Sequence, residues 1–346
     1  MTSSAHLFNG AQRPLIVFGG GVQCARELAV KWAERANVPV VLTWGAADLM
    51  HDDHRLNVGR FGTHGLRHAN FAVQTADRIV TVGTRLDTKA TGSPVSSFAP
   101  RARITMVDID PEEIDKFGKL GRAVEGICAD ARDFLQIEQP RSDTQMWQLR
   151  IAMWRAQFPC SSAKPYKICA QLSNMVKPDD VIVSDTGCVL GWMMQAFKFR
   201  GQRFIHAWNN TPMGYGLPAA IGAHLATGKK VWCITGDGGL SVHTPELATI
   251  VKHQWPITVV LFNNKGHAMC RQTQRQWLDG RYVATDEDFL SMADFSRVAR
   301  SYAYEALLEL HIDPDEGIEP QVRFGAGLED GDPRLDPEEL KAALSV

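Results

Sequence analysis

The chain has 346 residues, enough for two domains of ordinary size that each bury a core without disulfide or metal staples. Its 37 lysines and arginines nearly balance 39 aspartates and glutamates, leaving a formal net charge of -2, so no basic face is implied and nucleic acid is excluded as an expected partner. No apolar run reaches membrane-spanning length, and the seven cysteines form no CxxC pair, which points to reduced thiols, a cytoplasmic location and no membrane partner.

From residue 14 the chain alternates apolar runs with amphipathic stretches. Leu15 to Phe18, Val38 to Leu42, Arg78 to Val82 and Ile104 to Val107 are predicted strands, separated by helical patterns. The Gly19-Gly20-Gly21 turn after the first is a weak nucleotide-binding signal, since a tight strand-to-helix turn needs glycine in any case. The polar, proline-containing segment Glu138 to Asp143 interrupts the pattern, so the predicted domains are 1–140 and 141–346. Further strands are predicted at Val181 to Val183, Val231 to Thr235, Ile257 to Phe262 and Ala306 to Ile312. The tail from Pro320, rich in glycine, proline and acidic residues, reads as an extended arm over the surface. The fold class is α/β, with two parallel-sheet domains joined by crossover helices, the first Rossmann-like.

The chemistry is concentrated after two of these strands. Gly236-Asp237-Gly238 follows one apolar run and Asn263-Asn264 ends another, which places a carboxylate and an amide at the carboxyl ends of strands, where open α/β sheets bind ligands. Magnesium takes hard oxygen ligands from one or two protein groups and from cofactor phosphates. Glycines 236, 238 and 239 leave room for a diphosphate against the main chain. Taken alone, Asp237 and Asn264 read equally well as a turn aspartate and a capping asparagine.

The pairing of Gly236-Asp237-Gly238 with Asn263-Asn264 resembles the cofactor signature of thiamine diphosphate enzymes. Met213-Gly-Tyr-Gly-Leu-Pro-Ala-Ala-Ile-Gly-Ala223 and Met269-x-Arg271-Gln272 resemble the acetolactate synthase branch of that family. The resemblance implies that Asp237, Asn264 and the main-chain oxygen of Gly266 ligate magnesium. It implies that Gly187, Gly214, Gly236, Gly238, Gly239, Asn264 and His267 line the cofactor. Met213 would hold the bent cofactor, its bland alternative being core filler. Met269 and Thr273 would border the substrate pocket. His64, His206 and His267 are candidates for proton transfer, against the commoner role of a hydrogen-bonded histidine.

In unit order the resemblance begins earlier. Gly59-Arg-Phe-Gly-Thr-His-Gly65, Ala69-Asn70, Gly83-x-Arg85-x-Asp87 and Thr91-Gly92 resemble stretches that line an FAD site in the central domain of acetolactate synthases. Related decarboxylases keep this domain without flavin, and Asp87-Thr88-Lys89 departs from the family's Asp-Asp-Arg, so FAD is left open.

Three departures shape the expected function. Relatives begin with a further domain that grips the aminopyrimidine and supplies an activating glutamate; this catalytic glutamate is absent here, so a separate pyrimidine-domain subunit is expected, in a hetero-oligomer built on dimers. Thr273 replaces a tryptophan that narrows the acceptor pocket, which favours a bulkier acceptor. Relatives also have a longer connection between the helix near Phe295 and the strand near Ala306. The expected function is the diphosphate-binding subunit of a two-component, acetolactate synthase-like transferase and carboligase. It would decarboxylate a 2-keto acid, pyruvate first among small-molecule candidates, and ligate the fragment to a carbonyl acceptor. Decarboxylation without ligation, and a noncatalytic regulatory subunit, are the alternatives.

Overall fold

Strands covered by helices on both faces lose the apolar-polar alternation of a half-exposed sheet and read as continuous apolar runs. The computed structural model, which describes residues 6–285 and 289–345, builds two parallel sheets from such runs. Its contacts divide the chain into two compact units, residues 1–161 with 319–346, and residues 162–318. Both are α/β. Among the described residues no helix is long and apolar enough to cross a membrane.

The first unit holds β1 (Pro14–Phe18), β2 (Val40–Leu42), β3 (Asn57–Arg60), β4 (Arg78–Val82), β5 (Arg103–Asp108) and β6 (Glu125–Cys128). All pairs are parallel and the order is β3-β2-β1-β4-β5-β6, so the winding reverses between β1 and β4. That order is the doubly wound mononucleotide-binding arrangement, with its crevice at the carboxyl ends of the two central strands. The second unit holds β7 (Val181–Ser184), β8 (Arg203–Ile205), β9 (Val231–Gly236), β10 (Ile257–Asn263) and β11 (Leu307–His311). These are also parallel, in the order β11-β10-β9-β7-β8, and here the reversal lies between β7 and β9.

Three strands carry no clear sequence signal, and each lies at a sheet edge. β3 has a single aliphatic residue. It pairs with β2 through a register shift that sets Val40 opposite Asn57 and Val41 opposite Gly59, and Gly59 has φ +118, a conformation that favours glycine. Side chains hold what apolar patterning does not: Asn57 Nδ2 donates to His51 O (3.0 Å), and Arg155 donates to the Asn57 and Val58 carbonyls (2.6 and 3.0 Å). β6 is largely exposed, and β8 has only three residues.

The polar segment before residue 144 turns within the first unit instead of ending it. The helix that follows, Gln145–Gln157, buries Trp147, Ile151 and Trp154 in the first unit's core, and Phe71 meets Trp154 and Phe158 edge-on at 5.9 and 5.2 Å between ring centroids. The first compact unit therefore runs through this helix to residue 161.

The arm from Pro320 is structured. β12 (Gln321–Val322) and β13 (Gly331–Asp332) form an antiparallel ribbon, and the helix Pro337–Leu344 follows, capped by Asp336. Apolar contacts and hydrogen bonds fix it to the first unit. Val322, Leu328 and Ala343 join the cluster containing Phe61, Phe71 and Phe98. Val322 N donates to Thr63 O (2.7 Å), and Arg150 reaches the Ala342 and Ser345 carbonyls (3.1 and 2.9 Å).

Asn70 is the buried rivet of this arrangement. Its Oδ1 accepts from Gly62 N (2.9 Å), and its Nδ2 donates to Gly62 O and Leu328 O (both 3.0 Å). Asn70→Ala strands these buried groups and is expected to cost about 2 kcal/mol or more. A lowered urea midpoint, followed by tryptophan fluorescence, checks this; an unchanged midpoint would show that the Asn70 hydrogen bonds add nothing to the stability.

Candidate functional site

Two parallel strands that diverge into opposite halves of a sheet leave their carboxyl ends side by side, and in the second unit each of those ends is followed by a buried aspartate. Asp185 follows β7 and Asp237 follows β9; each is 1 % exposed. Neither has a cationic partner among the described contacts, so main-chain N–H groups and a hydroxyl must satisfy them.

Asp185 orders the surrounding chain. Its Oδ1 accepts from Thr186 N (2.8 Å) and Gly214 N (3.0 Å), and its Oδ2 accepts from Gly216 N and Thr235 Oγ1 (both 3.2 Å). One carboxylate thus ties β7 to β9 and to the 213–216 turn. Gly214 takes φ +89, and a Cβ there would lie 2.9 Å from both Val242 and His243. Met213, about half exposed, rides on this turn. The sequence held a signal for Asp185 that the motif reading passed over: Asp185-Thr-Gly187 ends an apolar strand just as Gly236-Asp237-Gly238 does.

Around Asp237 the glycines serve different ends. Its Oδ1 accepts from Gly238 N (2.7 Å), and its Oδ2 accepts from Asn264 N and Gly266 N (both 3.1 Å). Burial pushes the Asp237 carboxyl above its ordinary range, opposed by these N–H groups and that of Lys265. A Cβ on Gly239 would fall 2.6 Å from Asp185 Oδ2. One on Gly238 would fall 2.7 Å from the His267 ring and 3.4 Å from Met213 Sδ, so His267 and Met213 converge over this glycine. At Gly236 only Phe262 O comes within reach, at 3.9 Å, so space remains open there.

The two asparagines separate by role. Asn263 is structural: its Nδ2 donates to Glu309 on β11 (2.7 Å), and its Oδ1 accepts from Lys265 N (3.0 Å). Asn264 turns inward. The end of its amide lies 2.9 Å from Gly266 O and 3.2 Å from each Asp237 carboxylate oxygen, with its nitrogen facing those acceptors when the amide is oriented by its hydrogen bonds. With its oxygen at that end instead, the amide stands among three other oxygens, an arrangement that a cation would make favourable. One carboxylate, one amide oxygen and one main-chain carbonyl are the kind of hard-oxygen donors that a divalent ion takes. Such a set differs in kind from a cluster of three or more His, Cys, Asp or Glu side chains, of which there is none among the described residues.

Beyond the loop at residues 264–267, the helix Ala268–Trp277 sets Met269 and Thr273 one turn apart. Thr273 Oγ1 donates to Met269 O (3.0 Å), which leaves the hydroxyl oxygen as an acceptor. Gln272 faces inward: it exchanges hydrogen bonds with Ile318 N and O (2.9 and 3.0 Å). Arg271 pairs with Asp315 (2.7 Å) and lies over Tyr282. Gly187 has φ +98 and opens the helix Cys188–Ala196; burial drives the Cys188 thiol up to about 12, so it stays protonated.

The histidines divide as well. His267 donates its main-chain N–H to Thr285 O (3.0 Å), which holds the loop beside the site. His206 Nδ1 lies 2.8 Å from Ser184 O and the ring packs on Trp208 and Tyr215, a structural setting. His64 belongs to the first unit, where burial beside Lys89 lowers it to about 4 and keeps it neutral near pH 7.

Two family models match in chain order. Residues 1–137 match "Thiamine pyrophosphate enzyme, central domain", and residues 185–331 match "Thiamine pyrophosphate enzyme, C-terminal TPP binding domain". The chain belongs to the thiamine pyrophosphate enzyme family. Its relatives place it on the acetolactate synthase-like branch. It is 32% identical over 320 residues to the acetolactate synthase large subunit of Parasynechococcus marenigrum (strain WH8102), covering 89% of this chain and 51% of that protein. It is 30% identical over 361 residues to the acetolactate synthase isozyme 1 large subunit of Escherichia coli (strain K12), covering 93% and 62%. The probable acetolactate synthase large subunit of Methanocaldococcus jannaschii is 32% identical over 335 residues, covering 90% and 55%. The chain thus spans about half to three fifths of the length of these curated relatives.

In this member of the thiamine pyrophosphate enzyme family the central-domain glycines close the β1–β4 crevice main chain on main chain. A Cβ on Gly19 would lie 2.2 Å from Gly83 O, and one on Gly21 would lie 2.7 Å from Gly83 Cα. Asp87 Oδ1 accepts from Lys89 N and Ala90 N (3.0 and 3.1 Å), and Asn70 is engaged by Gly62 and Leu328. These two polar side chains, part of the stretches compared with a flavin site, hold the chain's own backbone.

Gly239→Ala tests the packing of the two aspartates, because its Cβ would strike Asp185 Oδ2 and Thr235 Oγ1. The substitution is expected to destabilise the protein by about 1–3 kcal/mol. Differential scanning calorimetry reads this as a lower Tm; an unchanged Tm would mean that the Asp185 carboxylate is free to move aside.

Proposed function

We propose that this chain is the diphosphate-binding subunit of a two-component, acetolactate synthase-like carboligase, and that Asp237, Asn264 and Gly266 O hold magnesium against the diphosphate of thiamine diphosphate. The observation that carries the reading is the convergence of those three groups beside Gly238, under Met213. When bound, thiamine diphosphate supplies the nucleophilic carbon and the electron sink that decarboxylation of a 2-keto acid requires. The protein supplies placement.

Asp237 contributes the one negative charge of the donor set, with its position fixed by Gly238, Asn264 and Gly266 N–H groups. The open space at Gly236 admits the diphosphate to the main chain. Gly187 and Gly214 shape the flanking turns, and His267 closes the side of the site over Gly238. Met213, set by Asp185 through Gly214 and Gly216, would bear on the cofactor's rings and hold their orientation. Orientation of this kind is worth several kcal/mol to a slow proton transfer. The proposed partner is a separate pyrimidine-domain polypeptide that supplies the acid activating the pyrimidine, in a hetero-oligomer. The proposed setting is the cytoplasm.

Pyruvate is the proposed donor. Met269 and Thr273 border the acceptor side, where the small threonine leaves volume and its oxygen accepts a hydrogen bond. The acceptor is therefore a carbonyl compound bulkier than a simple 2-keto acid.

Mixing the chain with a pyrimidine-domain subunit, thiamine diphosphate and magnesium should release CO2 from pyruvate and yield an acyloin-type product with a bulky aldehyde or ketone. Acetaldehyde as the sole product with every acceptor would overturn ligation, and failure to decarboxylate any 2-keto acid would overturn the enzyme assignment. Thr273→Trp should lower kcat/KM for the bulky acceptor by about tenfold or more while sparing decarboxylation; equal loss of both steps would remove Thr273 from the acceptor pocket.

A further inference from the structure

The amino edge of the first sheet carries a second cleft, on the opposite edge from the β1–β4 crevice. Asn37 leads into β2 and Arg55 leads into β3, so both stand at the strands' amino ends. With Arg141, Asp143, Gln145, Gln148, Leu149 and Ala152 they line a cavity of about 720 Å³. That volume suits a metabolite of nucleotide size.

Asn37 builds both walls of this cleft. It is 8% exposed and adopts φ 56 at the end of the helix Arg26–Ala36. Its Nδ2 donates to Ser142 O (2.9 Å), and Ser142 N donates to Ala36 O (2.9 Å). On the other side its Oδ1 accepts from Arg55 Nη1 (2.7 Å), which anchors that guanidinium without neutralising it. Arg141, next to Ser142 in the chain, borders the same space. Asp143 is the cleft's one carboxylate, with Oδ1 accepting from Gln145 N (3.3 Å).

Two guanidiniums bordering one space, Arg55 anchored by Asn37 and Arg141 exposed, repel one another and offer forked donors, which suits an oxyanion that can pair with both. A phosphate group does so with more oxygens than a single carboxylate. Leu149 and Ala152 add an apolar wall, while Asp143 and the glutamine amides offer partners to hydroxyl or amino groups on an organic portion.

We propose that the cleft between Arg55 and Arg141 binds a phosphate-bearing organic metabolite of nucleotide size, at a site separate from the one that takes the cofactor. Binding there is independent of the function proposed above, so either can fail alone. Isothermal titration of ADP into the protein, with no thiamine diphosphate added, should show one site that Arg55 and Arg141 line. Arg141→Ala should weaken it at least tenfold, and Arg55→Gln likewise, whereas Arg334→Ala on the arm should leave it unchanged. Inorganic phosphate should compete, and citrate, a polycarboxylate of similar charge, should compete poorly. Absence of ADP binding, ADP affinity unaltered by Arg141→Ala, or citrate binding more tightly than ADP would each overturn the proposal. Arg141 has an exposed side chain, so circular dichroism of Arg141→Ala should match the parent, and a loss of binding then reports the site and not the fold.

Discussion

A buried carboxylate with no cation beside it is costly unless main-chain donors surround it, and the second sheet places two such carboxylates at the carboxyl ends of β7 and β9. The local chain path follows from meeting that need. Asp185 draws in the N–H groups of Thr186, Gly214 and Gly216, which sets the turn bearing Met213. Asp237 draws in Gly238, Asn264 and Gly266, which curls the loop after β10 back over β9. Glycine is required where these paths meet, because a Cβ on Gly239 would collide with the first carboxylate and one on Gly238 with the ring of His267.

The same constraint prepares the loop for a cation. Main-chain N–H groups leave Asp237 a net negative charge in a buried place, and burial raises its carboxyl accordingly. A divalent ion ligated by Asp237 would offset that cost, and the Asn264 amide, with its oxygen turned to Asp237 and Gly266 O, would add a further oxygen. The helix Ala268–Trp277, which carries Met269 and Thr273, is held by Gln272 against Ile318 and by Arg271 against Asp315.

Much of this was legible in the sequence because it rests on strands with continuous apolar runs. β1, β4, β5, β7, β9 and β10 announce themselves this way, and the residues just beyond β9 and β10 are the ones that converge. Asp185 was less visible: it does its work through main-chain groups of residues 186, 214 and 216, and nothing in the order of side chains reveals which N–H groups a carboxylate will collect. The edge strands β3, β6 and β8 were hidden for a different reason. They are short or partly exposed, and β3 depends on Asn57, Arg155 and the backbone freedom of Gly59 more than on patterning. The unit boundary was obscured because Glu138 to Asp143 has the composition of a linker, yet Asn37 binds Ser142 and the following tryptophans fill the first core. The arm, too, reads as solvent-exposed by composition, while a few apolar residues, Val322, Leu328 and Ala343, decide where it packs.

The central claim is that Asp237, Asn264 and Gly266 O hold a divalent cation against a diphosphate. Calorimetric titration of thiamine diphosphate into the protein, with magnesium present or chelated, tests it most directly when the parent is compared with Asp237→Ala. The account predicts binding that requires magnesium and is lost in the variant. Binding of equal affinity without magnesium, or undiminished by Asp237→Ala, would contradict it.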